Sequence, residues 1–145
     1  METKRERAPG AWRQATEVLE GLRGEPSIQG ALLVRSDGVC VAASAQNAVD
    51  PSLFGALTAS GLAALRLGFA HLGVAQKETI LVQAGDRQLV IASAGDDHLL
   101  VLVARPPVGA TGLLALAKAA TSRLGPITRG SAVAARAPDI PTRAP

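Results

Sequence analysis

The sequence predicts an α/β domain: a five-stranded, mostly antiparallel sheet with helices on both faces, in the order α-β-β-α-β-β-β-α. Three observations carry this reading. Two pairs of β-prone runs are each joined by a short turn holding Asp and Gly, at Ser36-Asp37-Gly38 and Ala84-Gly85-Asp86-Arg87, which is a hairpin signal. A long stretch rich in Ala, Leu and Gly lies between the hairpins. Apolar residues recur at three- and four-residue spacing near both ends.

Taken in order, Trp12, Ala15, Val18, Leu19 and Leu22 form one apolar stripe and predict a helix over 11–22. Gly24 and Pro26 stop it. Ile28–Arg35 and Val39–Ala43 are the first hairpin, with Gly30 marking a bend, a bulge or a close backbone approach. Asp50 and Pro51 are helix-start residues, and the helix they open is expected to reach Leu72, with Gly73 at its exit. Thr79–Gln83 and Leu89–Ser93 form the second hairpin. Leu99–Ala104 is the most continuous apolar run and is expected at the sheet centre. Arg105-Pro106-Pro107-Val108-Gly109 is a stiff connector. The last helix is expected from Thr111 or Gly112 to Arg123, closed by Gly125-Pro126. Residues 1–10 are expected as a flexible arm, 11–127 as the domain, and the Ala/Pro/Arg-rich 128–145 as a flexible tail.

At 145 residues, with 48% apolar and 19% charged side chains, the chain supports one packed domain with one core. Only one Trp, two Phe and no Tyr are present, so few rings are available to stack on bases. The net charge of +3 is modest. Arg129, Arg136 and Arg143 against Asp139 supply most of it, and separated arginines make no patch. Nucleic-acid binding is not expected. No apolar segment follows the charged start, and no uninterrupted apolar run has the ~20 residues of a membrane span. A cytoplasmic protein is expected.

The sequence offers little for catalysis. The glycines of Val108-Gly109-Ala110-Thr111-Gly112 lack the Lys and Ser/Thr of a phosphate loop and read as a helix start. Cys40, alone in its chain, reads as a small buried hydrophobe. The two histidines differ in setting: His71 falls near a helix end, and His98 reads as part of a polar turn after Asp96-Asp97. Asp37, Asp50, Asp86, Asp96 and Asp97 occupy turns and caps, where carboxylates accept backbone hydrogen bonds. No catalytic residue, metal site or cofactor is expected.

What remains is surface chemistry. Between Ser52 and Ala75 the only fully charged side chain is Arg66, and Gly55, Gly61 and Gly68 interrupt the pattern. Interior glycine costs about 1 kcal/mol relative to alanine, so these positions need a packing reason. The helix is either wholly buried in one monomer or packed against its counterpart in a dimer. The dimer is the expectation, with Leu57, Gly61, Ala64, Leu65 and Gly68 as its seam. Arg66, Arg87 and Arg105 are the candidate contacts for another partner.

Ile28-Gln29-Gly30-Ala31-Leu32-Leu33-Val34 before Asp37-Gly38, the small-residue helix after Asp50, and Leu99-Leu100-Val101-Leu102-Val103 before Pro106, Pro107 and Gly109 together resemble the Roadblock family. That family includes dynein light chains, endosomal scaffold subunits and bacterial MglB-type regulators, and the resemblance spans about Ala11–Leu124. It implies a Roadblock/profilin-like fold and a homodimer in which second helices pack together and sheet edges join. It also implies a scaffold role toward a small Ras-like GTPase, whose own site bacterial relatives remodel without donating an arginine. Two other readings of the same small α/β form remain open, a sensory or ligand-binding module and a self-assembling structural subunit.

Overall fold

The computed structural model describes residues 9–74 and 79–136, with no side-chain detail for Pro9 or 131–136. Helix α1 (Pro9–Leu22) leads into strands β1 (Ile28–Arg35) and β2 (Cys40–Ala45). Helix α2 (Pro51–His71) connects these to β3 (Ile80–Ala84), β4 (Arg87–Ser93) and β5 (His98–Ala104), and α3 (Ala110–Arg136) follows. The sheet order is β2-β1-β5-β4-β3, and every neighbouring pair is antiparallel. The predicted element order is therefore the observed one.

Strand β5 is buried at every position and sits at the centre, as its unbroken apolar run requires. Its pairing with β1 joins the two hairpin units, from Ile28 opposite Ala104 to Arg35 opposite His98. The register shifts between Ile28 and Gly30, where a side chain on Gly30 would come within 3.1 Å of Val49 Cγ1. Both the bulge and the close approach explain the glycine.

The two faces of the sheet are covered differently. Leu19, Leu33, Leu100, Leu102, Leu113 and Leu124 belong to one cluster, which α1 and α3 close from outside. Residues of opposite parity on the strands form the other side: Leu32, Val34, Val101 and Val103 gather around Phe54 of α2, and Leu62 packs with Ile91 and Leu99. This alternation follows from the two-residue period of a strand.

The ends of the outer helices differ from expectation. Pro9 and Gly10 already belong to α1, since proline is favourable in a first helical turn. The last helix does not stop at Gly125-Pro126 but runs through Pro126 to Arg136. Its continuation is held by tertiary contacts. Leu124 and Thr128 are buried, and the Thr128 hydroxyl lies 2.8 Å from the Ala94 carbonyl and 2.9 Å from that of Gly125, donating to one at a time. Packing of this turn on the sheet overrides an interior proline penalty of about 3 kcal/mol. The packed part of the helix thus includes Thr128, one residue past the boundary drawn at 127. Residues 1–8 of the expected arm and 137–145 of the expected tail lie outside the described residues.

Candidate interaction site

Helix α2 begins as its sequence dictates. The Asp50 carboxylate accepts hydrogen bonds from the backbone N–H of Ser52 at 3.1 Å and Leu53 at 3.4 Å, and Pro51 fills the position that needs no donor. One side of the helix meets the sheet. Gly55 approaches the turn of the first hairpin so closely that a Cβ would stand 2.9 Å from the Gly38 carbonyl oxygen. Gly38 itself has φ +97°, which glycine adopts without strain. Only Gly55, Thr58 and Leu62 of this helix are buried.

The rest of α2 faces outward. Leu53, Leu57, Leu65 and Leu67 are exposed, Leu57 at 60%. The five seam residues Leu57, Gly61, Ala64, Leu65 and Gly68 all fall on this exposed side, spaced by whole turns or close to them. Apart from the helix's own backbone and the adjoining residues, no atom of the described residues lies within 4 Å of where a Cβ would stand on Gly61 or Gly68. Unlike Gly55, these two glycines serve no close approach among the described residues.

By length and composition, α2 is sufficient to cross a membrane, although its apolar run is broken by glycines and Arg66. The topology argues against a crossing. The strands before α2 and those after it belong to one sheet, because β1 pairs with β5 along its length. A helix whose two flanks share a sheet lies along that sheet.

The three candidate arginines do not converge. Gln88 pairs with Ala104, so Arg87 and Arg105 follow one another at the same end of adjacent strands. Both are exposed, and Arg87 forms an ion pair with Asp86. Arg66 is half-buried, one turn beyond Leu62, whose contacts with Ile91 and Leu99 lie toward the opposite end of the strands.

His98 is the residue whose setting the sequence concealed. It is not a turn residue but the first residue of β5, and it is only 8% exposed. Its ring lies 5.8 Å from that of Trp12, at 47°, and its Nε2 is buried without a hydrogen-bond partner. Burial lowers its pKa, Asp97 and Asp37 oppose that shift, and Arg35 reinforces it. Cys40 lies on the other face of the sheet, packed with Phe54 and Val34. It sits on an edge strand and is half-buried, rather than enclosed as expected, and desolvation raises its thiol pKa. Cys40 and His98 thus form no pair. Arg35 and Asp37 form a mostly exposed ion pair beside the first hairpin. The hydrogen bond from Arg35 lowers the Asp37 pKa. Among the described residues no group of three or more His, Cys, Asp or Glu side chains is placed to hold a metal ion.

Comparisons with known proteins agree with this architecture. The sequence profile of the Roadblock/LC7 domain matches residues 14–104. The structure of the gliding protein MglB from Thermus thermophilus is 26% identical, with 83% of this chain and 92% of that chain covered and a TM-score of 0.74. A structure described as MglB with a tetrameric arrangement gives the same identity and coverage, with a TM-score of 0.75. Myxococcus xanthus MglB shares the fold at 17% identity, with a TM-score of 0.76 over 83% of this chain and 91% of that chain. A search of curated protein sequences gave no match.

Proposed function

We propose, from the premise that the chain belongs to the Roadblock/LC7 domain family, that it acts in the cytoplasm as a non-enzymatic homodimeric platform that regulates or scaffolds a small Ras-like GTPase. The observation that carries the reading is the outward face of α2. A helix of 21 residues that buries only Gly55, Thr58 and Leu62 exposes a continuous apolar strip, and strips of this kind mark protein contacts. The glycines at 61 and 68 support a helix–helix contact specifically. Without a side chain they let a second backbone come close, and nothing else among the described residues accounts for their cost in helix stability. The seam is accordingly Leu57, Gly61, Ala64, Leu65 and Gly68.

The GTPase reading rests on the family resemblance. Arg105, beside the Arg87–Asp86 ion pair, is a contact for an acidic partner surface, with Arg87 able to exchange Asp86 for a partner carboxylate, and Arg66 is a separate contact. Binding senses nucleotide because γ-phosphate orders the switch segments of a GTPase and changes the surface it presents. The test uses a purified Ras-like GTPase from the same organism, loaded with GDP or a non-hydrolysable GTP analogue and titrated calorimetrically. Affinity at least tenfold higher in one state supports nucleotide sensing. Equal affinity leaves a scaffold, and no binding in either state removes the GTPase while leaving the dimeric platform.

A further inference from the structure

The last helix has a charge pattern that depends on its passing through Pro126. It holds Lys118, Arg123, Arg129 and Arg136 and no acidic residue. Helix α1, packed beside it, carries Arg13 against Glu17 and Glu20, so the layer of the two helices stays net positive. Lys118, Arg123 and Arg129 are exposed and enter no ion pair among the described residues.

Continuation of α3 brings separated basic residues into line. Positions 118 and 129 project within about 20° of one another, roughly three turns apart, and position 136 returns to the same direction about two turns further on. The Arg129 guanidinium reaches back over Gly125, where a Cβ would stand 3.4 Å from its Nη1. Gly125 lies on the same stripe, about 10 Å along the axis from Lys118. Its missing side chain therefore leaves the Arg129 charge in line with Lys118.

The positions around these cations are small. Thr111, Ala115 and Ser122 share the outward side and are exposed, giving flat ground beyond which the longer basic side chains extend. A protein partner is usually gripped through large anchors seated in pockets, and Leu114 is the only large apolar side chain exposed on α3 among the described residues. A helix embedded beside α1 also cannot enter a major groove about 12 Å wide. A flat anionic surface meets every cation of a straight stripe at once.

We propose that the outer face of α3 lies on the anionic lipid headgroups of a membrane surface. This contact leaves the outward side of α2 free, because α2 covers the opposite face of the sheet. Each basic side chain near such a surface strengthens binding about fivefold. The attraction is a sum of weak exposed contributions, so salt screens it.

The full-length protein is sedimented with sucrose-loaded vesicles of phosphatidylcholine, with or without about 30% phosphatidylserine, in about 0.1 M and about 0.5 M salt. Binding is expected only with phosphatidylserine and only at the lower salt. The double variant Lys118→Gln, Arg129→Gln should bind about 25-fold more weakly, whereas Lys118→Arg with Arg129→Lys should bind as the wild type does. Both positions are exposed, so the unfolding midpoints of the two variants should match the wild type. Wild-type protein that stays in the supernatant at low salt, or binding that survives the glutamine variant, overturns the proposal. Binding to duplex DNA as tight as to the anionic vesicles, at the same salt, overturns the choice of a lipid surface.

Discussion

Replacing Leu57 with Ala tests the α2 seam with little effect on the monomer. The substitution removes three carbons, worth about 2.4 kcal/mol at ~0.8 kcal/mol per fully buried group. In the single chain Leu57 is already 60% exposed, so only that share, about 1.4 kcal/mol, is gained by association. A twofold interface contains the residue twice, giving about 3 kcal/mol, or roughly a hundredfold in dissociation constant. The fold should lose no more than the share already covered in the single chain, about 1 kcal/mol, partly offset because alanine favours a helix. Sedimentation equilibrium over a range of concentrations measures the first effect, and thermal unfolding at high dilution measures the second. A dissociation constant within about threefold of the wild type would refute the assignment of Leu57 to the seam. A large fall in monomer stability would show instead that the helix is buried in its own chain.

Two further outcomes follow from the fold. Gly95→Ala should destabilise the domain by about 3 kcal/mol in urea denaturation, because φ is +105° there and the new methyl would collide with the Thr128 hydroxyl; an unchanged midpoint would show that α3 does not pack on this turn. Burial gives His98 a lower pKa in the fold than in the unfolded chain, so its contribution is fully present above about pH 6.5 and is lost as pH falls toward the lowered value. Thermal midpoints from pH 7.5 to 5 should show this loss, and His98→Leu should reduce it; an identical pH profile in the variant would remove His98 as the cause.

The strands were legible wherever a single local rule decides them. Ile28–Arg35 is recovered at both ends because an apolar run buried on both faces gives way to a polar Ser-Asp-Gly turn. The apolar helix α2 was legible from composition, since a stretch with Arg66 as its only full charge needs cover from somewhere. What could not be read depends on residues far apart in sequence. Pro126 is a local stop signal, and only the contact of Thr128 with Ala94 shows why the helix ignores it. His98 follows two aspartates and resembles a turn, yet Trp12, 86 positions earlier, covers it. A groove beside the start of α2 is assembled from Gln29, Val49, Phe54, Val82 and Val103, and no spacing rule relates those positions.

The unequal cover of the two sheet faces has a thermodynamic consequence for α2. The face under α1 and α3 is closed by large side chains that are almost completely buried, including Leu19, Leu113 and Leu124. Helix α2 holds its own face with one buried leucine, one threonine and one glycine, aided by the half-buried Phe54 and Phe69. Local stability tracks buried apolar contact, so α2 is the element least firmly attached to the sheet within one chain. Burying its outer leucines against a second copy would stabilise only chains in which α2 is already docked. Association and docking are then linked by mass action, and each helix order favours the other. A partner that recognises surface formed jointly by two copies would draw on the same linkage, binding most tightly where α2 is held in place.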